Sequence, residues 1–446
     1  MGNYVEDYDY GYDHHLTVKK WEPVLVTPAE ETKKGIYFLS NVDEDETLVR
    51  TIYCYQHKKT NDDHGPSEVI KNALSKVLVH YYPLAGRLVT TADEGRLAVD
   101  CTGEGVLFVE AEANCTLGSV DFSRPDAETR GKLVYEIPGV KSIFEIPPLM
   151  IQVTKFKCGG FVLGVSFNHL TADGQAAMEF INSWAETARG LPLSVQPYLD
   201  RTLLKARNPL KIEYHHAEYD VLEDKSTPRN NKEETIYDYI YINEQMIQKL
   251  KRQIAAEIHG PSPPGPAVRL CSSYVALSAF AWRARAKALK MAADQETRIL
   301  LVVNTRDKFN PPLPKGYFGN AVKFISAVTL AGDMVDKPLS YAVGKVQEAI
   351  RSVTDSQLRS GIDYYEVHKT KRPMGCTMIS TAWSRLAFGS TDFGWGEPIM
   401  TGPVELPVDE VIIFLAHPKE KGSLNAYAGL PTSAMRTFQK LWGEIV

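Results

Sequence analysis

The stretch SFNHLTADGQ, residues 166–175, holds the residue types with the most chemical reach in the chain. His169 ends a long apolar run, and Asp173 follows four positions later, directly before Gly174. Several chemistries use a histidine in such a setting. A metal site needs a third ligand, and the chain has no HExxH or comparable cluster. A serine hydrolase needs a GxSxG elbow, which GVSFN lacks. A cysteine–histidine enzyme needs a thiol in a reactive turn, whereas Cys158 lies on the same run as His169. There remains a histidine acting alone as general base on a hydroxyl or amine. That role needs a neutral imidazole near pH 7, the form an ordinary histidine takes. Acyl transfer from a thioester suits it, because a thioester is already activated and requires no enzyme nucleophile. A lone histidine at a strand end is also commonly structural, and the spacing leaves both readings open.

Asp173 reads differently. If a helix starts there, its carboxylate faces the helix amides and neighbouring cations, not His169. It is then a cap or an ion-pair partner that fixes the histidine's loop, rather than the acid of a hydrolase triad.

A second constellation is STAWSRLAFGSTDFGWGEPI, residues 380–399. Asp392 has the look of a kinase DFG metal ligand, but no glycine-rich loop or HRD segment accompanies it. Gly394 and Gly396 alternate with bulky aromatics, so the motif reads as architectural.

These residues need elements to carry them. The apolar spacing in PSEVIKNALSKVLVHYY predicts a helix over 66–82. GRLAVD, VLFVEAEA and GGFVLGVSFNH predict strands, the last buried on both faces. A helix follows Asp173, with Ala177, Phe180, Ile181, Trp184 and Ala188 as its stripe. The proline-punctuated stretch 191–210 reads as a linker. Beyond it, INEQMIQKLKRQIAAEI and residues 272–289 are helical, with the loop 259–267 between them. TRILLVVNTRD is a second buried strand running out into polar residues. Both halves thus end a buried strand in a polar loop, where α/β folds place ligands.

Composition sets the outer limits. A chain of 446 residues suits two domains or one large α/β body. A net charge of −5 gives no reason to expect nucleic acid or an anionic membrane as partner. No apolar run reaches the roughly 18–20 residues of a membrane span. The N-terminus MGNYVEDYDYGYDHH is acidic and tyrosine-rich, without the pattern of a secretory signal. Glu6 stands where a myristoylation signal has Ser or Thr. Cys54, Cys101, Cys115, Cys158, Cys271 and Cys376 are scattered singly, which reads as free thiols in a cytoplasmic protein.

Taken together, HLTAD (169–173), DFGWG (392–396), YPLAGRL (82–88), NTRDKFNPPLP (304–314) and GYFGN (316–320) resemble the BAHD acyltransferases, plant enzymes that move acyl groups from CoA to alcohols or amines. The resemblance covers the chain after about residue 15. It implies an α/β fold of two chloramphenicol-acetyltransferase-like domains with a channel between them. These are 1–195 (with 375–396 contributed from the C-terminal half) and 216–446, joined by a crossover at 196–215. It further implies that His169 is the general base and that Asp173 pairs with Arg306. Asp392, Gly394 and Gly396 are then architectural. Tyr37, Thr381 and Trp383 line the channel, and Ser272, Ser273 and Asn320 contact CoA. No metal and no cofactor is implied, acyl-CoA being a co-substrate. The expected partners are acyl-CoA and a small alcohol, met by a cytoplasmic monomer.

Within the family the chain resembles most the hydroxycinnamoyl-CoA transferases of ω-hydroxy fatty acids and fatty alcohols. LVHYYPLAGRL, CTGEGVLFVEAEANC and NSWAETARGLPLS carry that likeness. That group commonly reads NHCMFDG where this chain reads NHLTADG. Leu170, Thr171 and Ala172 are therefore expected beside the acceptor. A compact cyclic or alkaloid alcohol, or an amine, then competes with a long-chain acceptor, and benzoyl-CoA with feruloyl-CoA as donor. A non-catalytic acyl-CoA binder is the rival class; the intact histidine, aspartate and DFGWG speak against it.

Overall fold

The computed structural model describes residues 16–58, 65–92, 95–225, 233–260 and 271–445. The tyrosine-rich N-terminus and most of the 259–267 loop lie outside the described residues. Among the described residues, the strands form sheets of seven, six and three members. The first sheet runs Val18–Lys20, Val106–Ala113, Leu149–Lys155, Phe161–Asn168, Leu48–Tyr55, Met400–Pro403, with Val24–Val26 also on Val106–Ala113.

The strand Phe161–Asn168 is buried at every position, which fits its nearly continuous apolar run. Alternation decides what each face meets. Phe161, Leu163, Val165 and Phe167 join the core under helices Pro66–Val77 and Gly174–Ala188. Val162 turns the other way, onto Leu133 and Val134. Position 164 must be glycine, because a Cβ there would lie 2.1 Å from the Leu133 carbonyl oxygen.

Helix Gly174–Ala188 buries Phe180, Ile181 and Trp184. The Trp184 indole donates to the Ile70 carbonyl at 2.9 Å and so fastens the two helices together. Ala177, expected in the buried stripe, is half-buried and borders a large cavity; Ala176 and Ala185 are buried instead. The helix expected over 66–82 ends at Val77. Pro83 removes an amide donor and disfavours helical geometry just before it, so Tyr82–Ala85 forms a 3-10 turn instead.

The second sheet runs Thr235–Ile242, Leu424–Pro431, Val411–Ala416, Thr377–Ala382, Glu296–Asn304, Val322–Leu330. Helices Glu244–His259, Ser273–Ala288, Leu339–Arg351 and Thr432–Gly443 pack into its core. Ser273–Ala288 is buried nearly all round, and Ala276, Ala279, Ala281 and Ala284 let its neighbours approach closely. Ser272 caps this helix by accepting the Val275 amide at 3.2 Å.

Two expected boundaries move. Residues 377–382 do not join the first half, because Thr377–Ala382 pairs with Glu296–Asn304 and Val411–Ala416. The chain crosses later: Phe393 and Trp395 enter the first core, and Met400–Pro403 pairs with Leu48–Tyr55. The crossover is also longer than 196–215: from helix Gly174–Ala188 to residue 225 the described residues form only short 3-10 turns at Arg201–Leu204 and Ala217–Tyr219. It is anchored on its way: the Tyr198 amide donates to the Gly316 carbonyl at 2.8 Å.

The DFGWG loop is built as a rivet. Asp392 accepts the amides of Gly394 and Gly396 at 2.7 and 2.8 Å. Those residues have φ of +112° and +86°, a region that favours glycine. Phe393 packs edge-on to Trp184 at 5.0 Å, and Trp395 edge-on to Phe161 at 5.3 Å. Truncating a buried ring leaves a cavity. Phe393→Ala is expected to lower the unfolding free energy by about 3–5 kcal/mol in a urea titration.

Candidate active site

The site begins where the two long buried strands run out. Phe161–Asn168 leads into His169, and Glu296–Asn304 leads toward Arg306. Arg306 reaches across to Asp173 with two parallel bonds, Nη1 to Oδ2 at 2.8 Å and Nη2 to Oδ1 at 3.0 Å. Asp173 also accepts the Ala176 amide of its own helix and the Ala321 amide of the second half, each at 2.9 Å. It is therefore at once the helix cap and the acceptor of a cross-body ion pair. Burial opposes its charge, but Arg306 and these amides outweigh that and hold the carboxyl below the usual carboxylate range.

A second buried pair, Arg201 with Asp43 at 3.0 Å, works beside the first. Arg201 stands inside the segment expected as a crossover. It donates to the Leu170 carbonyl at 3.3 Å, to the Thr171 carbonyl and to the Phe318 carbonyl at 3.1 Å. Asp43 accepts the Asn320 amide and side chain at 3.0 and 2.8 Å. Asn320 in turn donates to the His169 carbonyl at 2.7 Å, while the His169 amide donates to the Thr47 carbonyl at 2.9 Å. The backbone from 169 to 173 is held at most of its polar atoms. Nothing in that network binds the His169 ring.

His169 borders two spaces. The larger is a cavity of about 1190 Å³ between the sheets, with Val49, Tyr53, Phe167, Met178, Ile379 and Trp383 in its largely apolar wall. The smaller, about 40 Å³, is lined by Glu44, Asp45, Asn320, Lys323, Tyr365 and Arg372 among others. Ala172, Ser272, Thr381 and Trp383 border the larger space. Trp383 stacks on Phe388 at 5.6 Å.

Other expected contacts fall elsewhere. Tyr37 borders neither space, because its hydroxyl donates to the Leu199 carbonyl at 2.6 Å. Leu170 and Thr171 are turned inward; Leu170 joins the cluster with Leu88 and Val99. Ser273 lies one residue into its helix and meets neither space. Asn320 borders the small pocket with its amide committed to Asp43 and His169, so it is not a free CoA contact. Asp392, Gly394 and Gly396 border neither space. Cysteines are also absent from the described lining of both.

Two acids were missed in the sequence: Asp43 and Asp45 sit in VDEDE, a run indistinguishable from a solvated loop. Arg201 was missed for the same reason, lying in a stretch with no periodicity. A look-alike is also present. The Ser360 hydroxyl is 3.1 Å from His216 Nε2, and His216 Nδ1 is 3.4 Å from Glu218. All three are buried, and Ser360 accepts the amides of Glu213 and Tyr214, so the cluster is sealed structure.

Comparison with known proteins gives this arrangement its class. The model of the Transferase family matches residues 15–444. The chain is 52% identical to the omega-hydroxypalmitate O-feruloyl transferase of Arabidopsis thaliana, over 98% of this chain and 94% of the relative. It is 47% identical to the fatty alcohol:caffeoyl-CoA acyltransferase of the same plant, over 95% and 97%. Its fold matches the crystal structure of vinorine synthase with a TM-score of 0.74 at 23% identity, covering 94% and 96% of the two chains. The chain belongs to the Transferase family, the BAHD acyltransferases.

The buried pair makes a stability prediction. Asp173→Asn keeps the shape and removes the charge, so the unfolding free energy should fall by about 3–5 kcal/mol at pH 7. Folding depresses this carboxyl's proton affinity. Its contribution is complete above the ordinary carboxylate value, about pH 4, and is lost as pH falls further. Urea melts across pH should show the wild-type advantage shrinking on acidification.

Proposed function

We propose that the protein transfers an aromatic acyl group, hydroxycinnamoyl or benzoyl, from acyl-CoA to the hydroxyl of an acceptor alcohol. The observation that carries this is the position of His169, an unclamped ring on a clamped loop, at the meeting of two cavities. The ring takes the alcohol proton as the oxygen attacks the thioester carbonyl. The tetrahedral intermediate then expels the CoA thiolate, which takes the proton back, leaving ester and free CoA. Thr381 and Trp383 are the wall residues we assign to the oxyanion and the acyl group. The reaction needs no cofactor, because the thioester supplies the activation, and a single chain in the cytoplasm carries the whole site.

Ser272 and the exposed Lys369 and Lys371 border the large cavity and suit the phosphates of CoA. Asn304, Arg306 and the acidic run 44–46 border it as well. The apolar wall suits a long-chain alcohol, in keeping with the acceptors named in the two Arabidopsis relatives. Ala172 favours room for a second acceptor class, compact cyclic alcohols. It is the residue of the LTA spacer that meets the cavity.

Two measurements test this. Feruloyl-CoA and benzoyl-CoA are mixed with straight-chain and cyclic alcohols while free thiol is followed. His169→Ala should slow the reaction roughly 10²–10⁴-fold; an unchanged rate would sink the general-base role. Ala172→Phe fills space beside the base. It should raise KM for cyclic alcohols about tenfold or more while sparing straight-chain ones, the effect of a lost methylene-scale fit or a clash. An equal effect on both classes would remove position 172 from acceptor choice.

A further inference from the structure

With Asp173 committed to Arg306, the His169 ring lacks the acid that a histidine base ordinarily leans on. Its Nδ1 is buried and no protein group bonds to it. The charged groups that line the two spaces with the ring come from several segments, with Lys369, Lys371 and Arg385 on the large-cavity wall besides those that follow. From 169–173 there is Asp173, paired with Arg306. From the second half there is Lys323, paired with Glu218. From 365–372 there are Tyr365 and Arg372, the latter paired with Glu44. The run 44–46 supplies Glu44, Asp45 and the exposed Glu46.

Asp45 stands out in this set. Among the described residues it forms no ion pair, and its carboxylate accepts only from the amide of Thr47, at 3.0 Å, and from the Thr47 hydroxyl. Thr47 is also the residue whose carbonyl accepts the His169 amide. One tight turn therefore fixes the acid and the histidine relative to each other. Asp45 and His169 border both the large and the small space. The small one, about 40 Å³, sets Glu44, Asp45, Asn320, Lys323 and Arg372 among apolar neighbours and has room for an ordered water. Burial opposes the Asp45 charge, yet His169, Thr47 and Arg372 together hold the carboxyl below its ordinary value.

We infer that Asp45 is the positioning acid of His169: it faces the ring across the small pocket, orients it, and compensates the positive charge the ring gains in the transition state. This rests on the reading of His169 as general base. The role is electrostatic, so it differs from that of Asp173, which holds the loop.

The test reads the ring directly and needs no substrate. Protein labelled with 13C in its histidines is titrated by NMR, the His169 signal being assigned by its loss in His169→Gln. In Asp45→Asn the His169 midpoint should move to lower pH by about half a pH unit or more, because a nearby negative charge favours the protonated ring. Asp45→Glu should restore it. Thr47→Val is the control for a loosened turn. It removes one hydrogen bond to Asp45 but keeps the charge, so its midpoint should stay closer to wild type than that of Asp45→Asn. A midpoint that does not move in Asp45→Asn, or moves equally in Thr47→Val, overturns the inference. With an acceptor alcohol that is turned over, Asp45→Asn should lower kcat about tenfold, with KM and thermal midpoint near wild type. A silent wild-type assay would count against the reaction assigned to His169, while the titration would still decide the role of Asp45.

Discussion

The buried pair of Asp173 and Arg306 is the constraint on which the rest of the site depends. Taking two full charges out of water is costly, and their attraction repays it only when geometry is good and further hydrogen bonds serve the remaining polar atoms. Here the pair is bidentate, the carboxylate accepts two further amides, and the guanidinium donates to the Gly319 carbonyl at 3.0 Å, with its Nε alone left without a partner among the described residues. Its partners come from the end of a second-sheet strand, from the loop 317–321 and from a helix start. The loop 169–173 consequently has one place to be, and it is the place where the two strand ends meet. The Asp43–Arg201 pair adds the second fixed point, so the carbonyls of His169, Leu170 and Thr171 all have donors. A rigid backbone of this kind lets a single ring be aimed without being bonded. Preorganised geometry is what a one-residue base requires.

The cavity walls agree with the proposal that one residue carries the chemistry. The described lining offers no cysteine, and Ser272 lies at a helix start with its oxygen accepting the Val275 amide. Covalent catalysis therefore has no obvious nucleophile beside His169. An activated thioester and an alcohol that meet at one imidazole need only a proton taken and returned. In the proposed reaction, apolar walls such as Tyr53, Phe167 and Ile379 disfavour the water that would compete with the alcohol for the acyl group.

The large features were legible because local chemistry dictates them. The nearly continuous apolar run before His169 demands a strand covered on both faces, and Asp173 before Gly174 demands a helix cap. The two strand ends that build the site follow from the same reasoning. The resemblance carried by HLTAD and DFGWG supplied the partner of Asp173, which no local pattern specifies. What stayed hidden is what depends on approach in space. Arg201 lies in a stretch without periodicity, yet its guanidinium donates to two carbonyls of the loop 169–173. Leu170 and Thr171 neighbour His169 in sequence and turn away from the cavity, because consecutive loop residues cannot all face one space. Tyr37 and Asn320 are turned by their hydrogen bonds into structural roles. Residues 377–382 remain in the second sheet, since strand pairing there is set by register with Glu296–Asn304 and Val411–Ala416 rather than by proximity in sequence to DFGWG.

Direct transfer through a ternary complex is the central claim, and acylation in the absence of acceptor tests it most directly. The protein is mixed rapidly with an acyl-CoA alone, quenched at intervals, and assayed for free CoA and for intact mass. Direct transfer predicts no burst of CoA and no increase in mass until an alcohol is added. A burst of one CoA per chain, with the chain heavier by one acyl group, would contradict it.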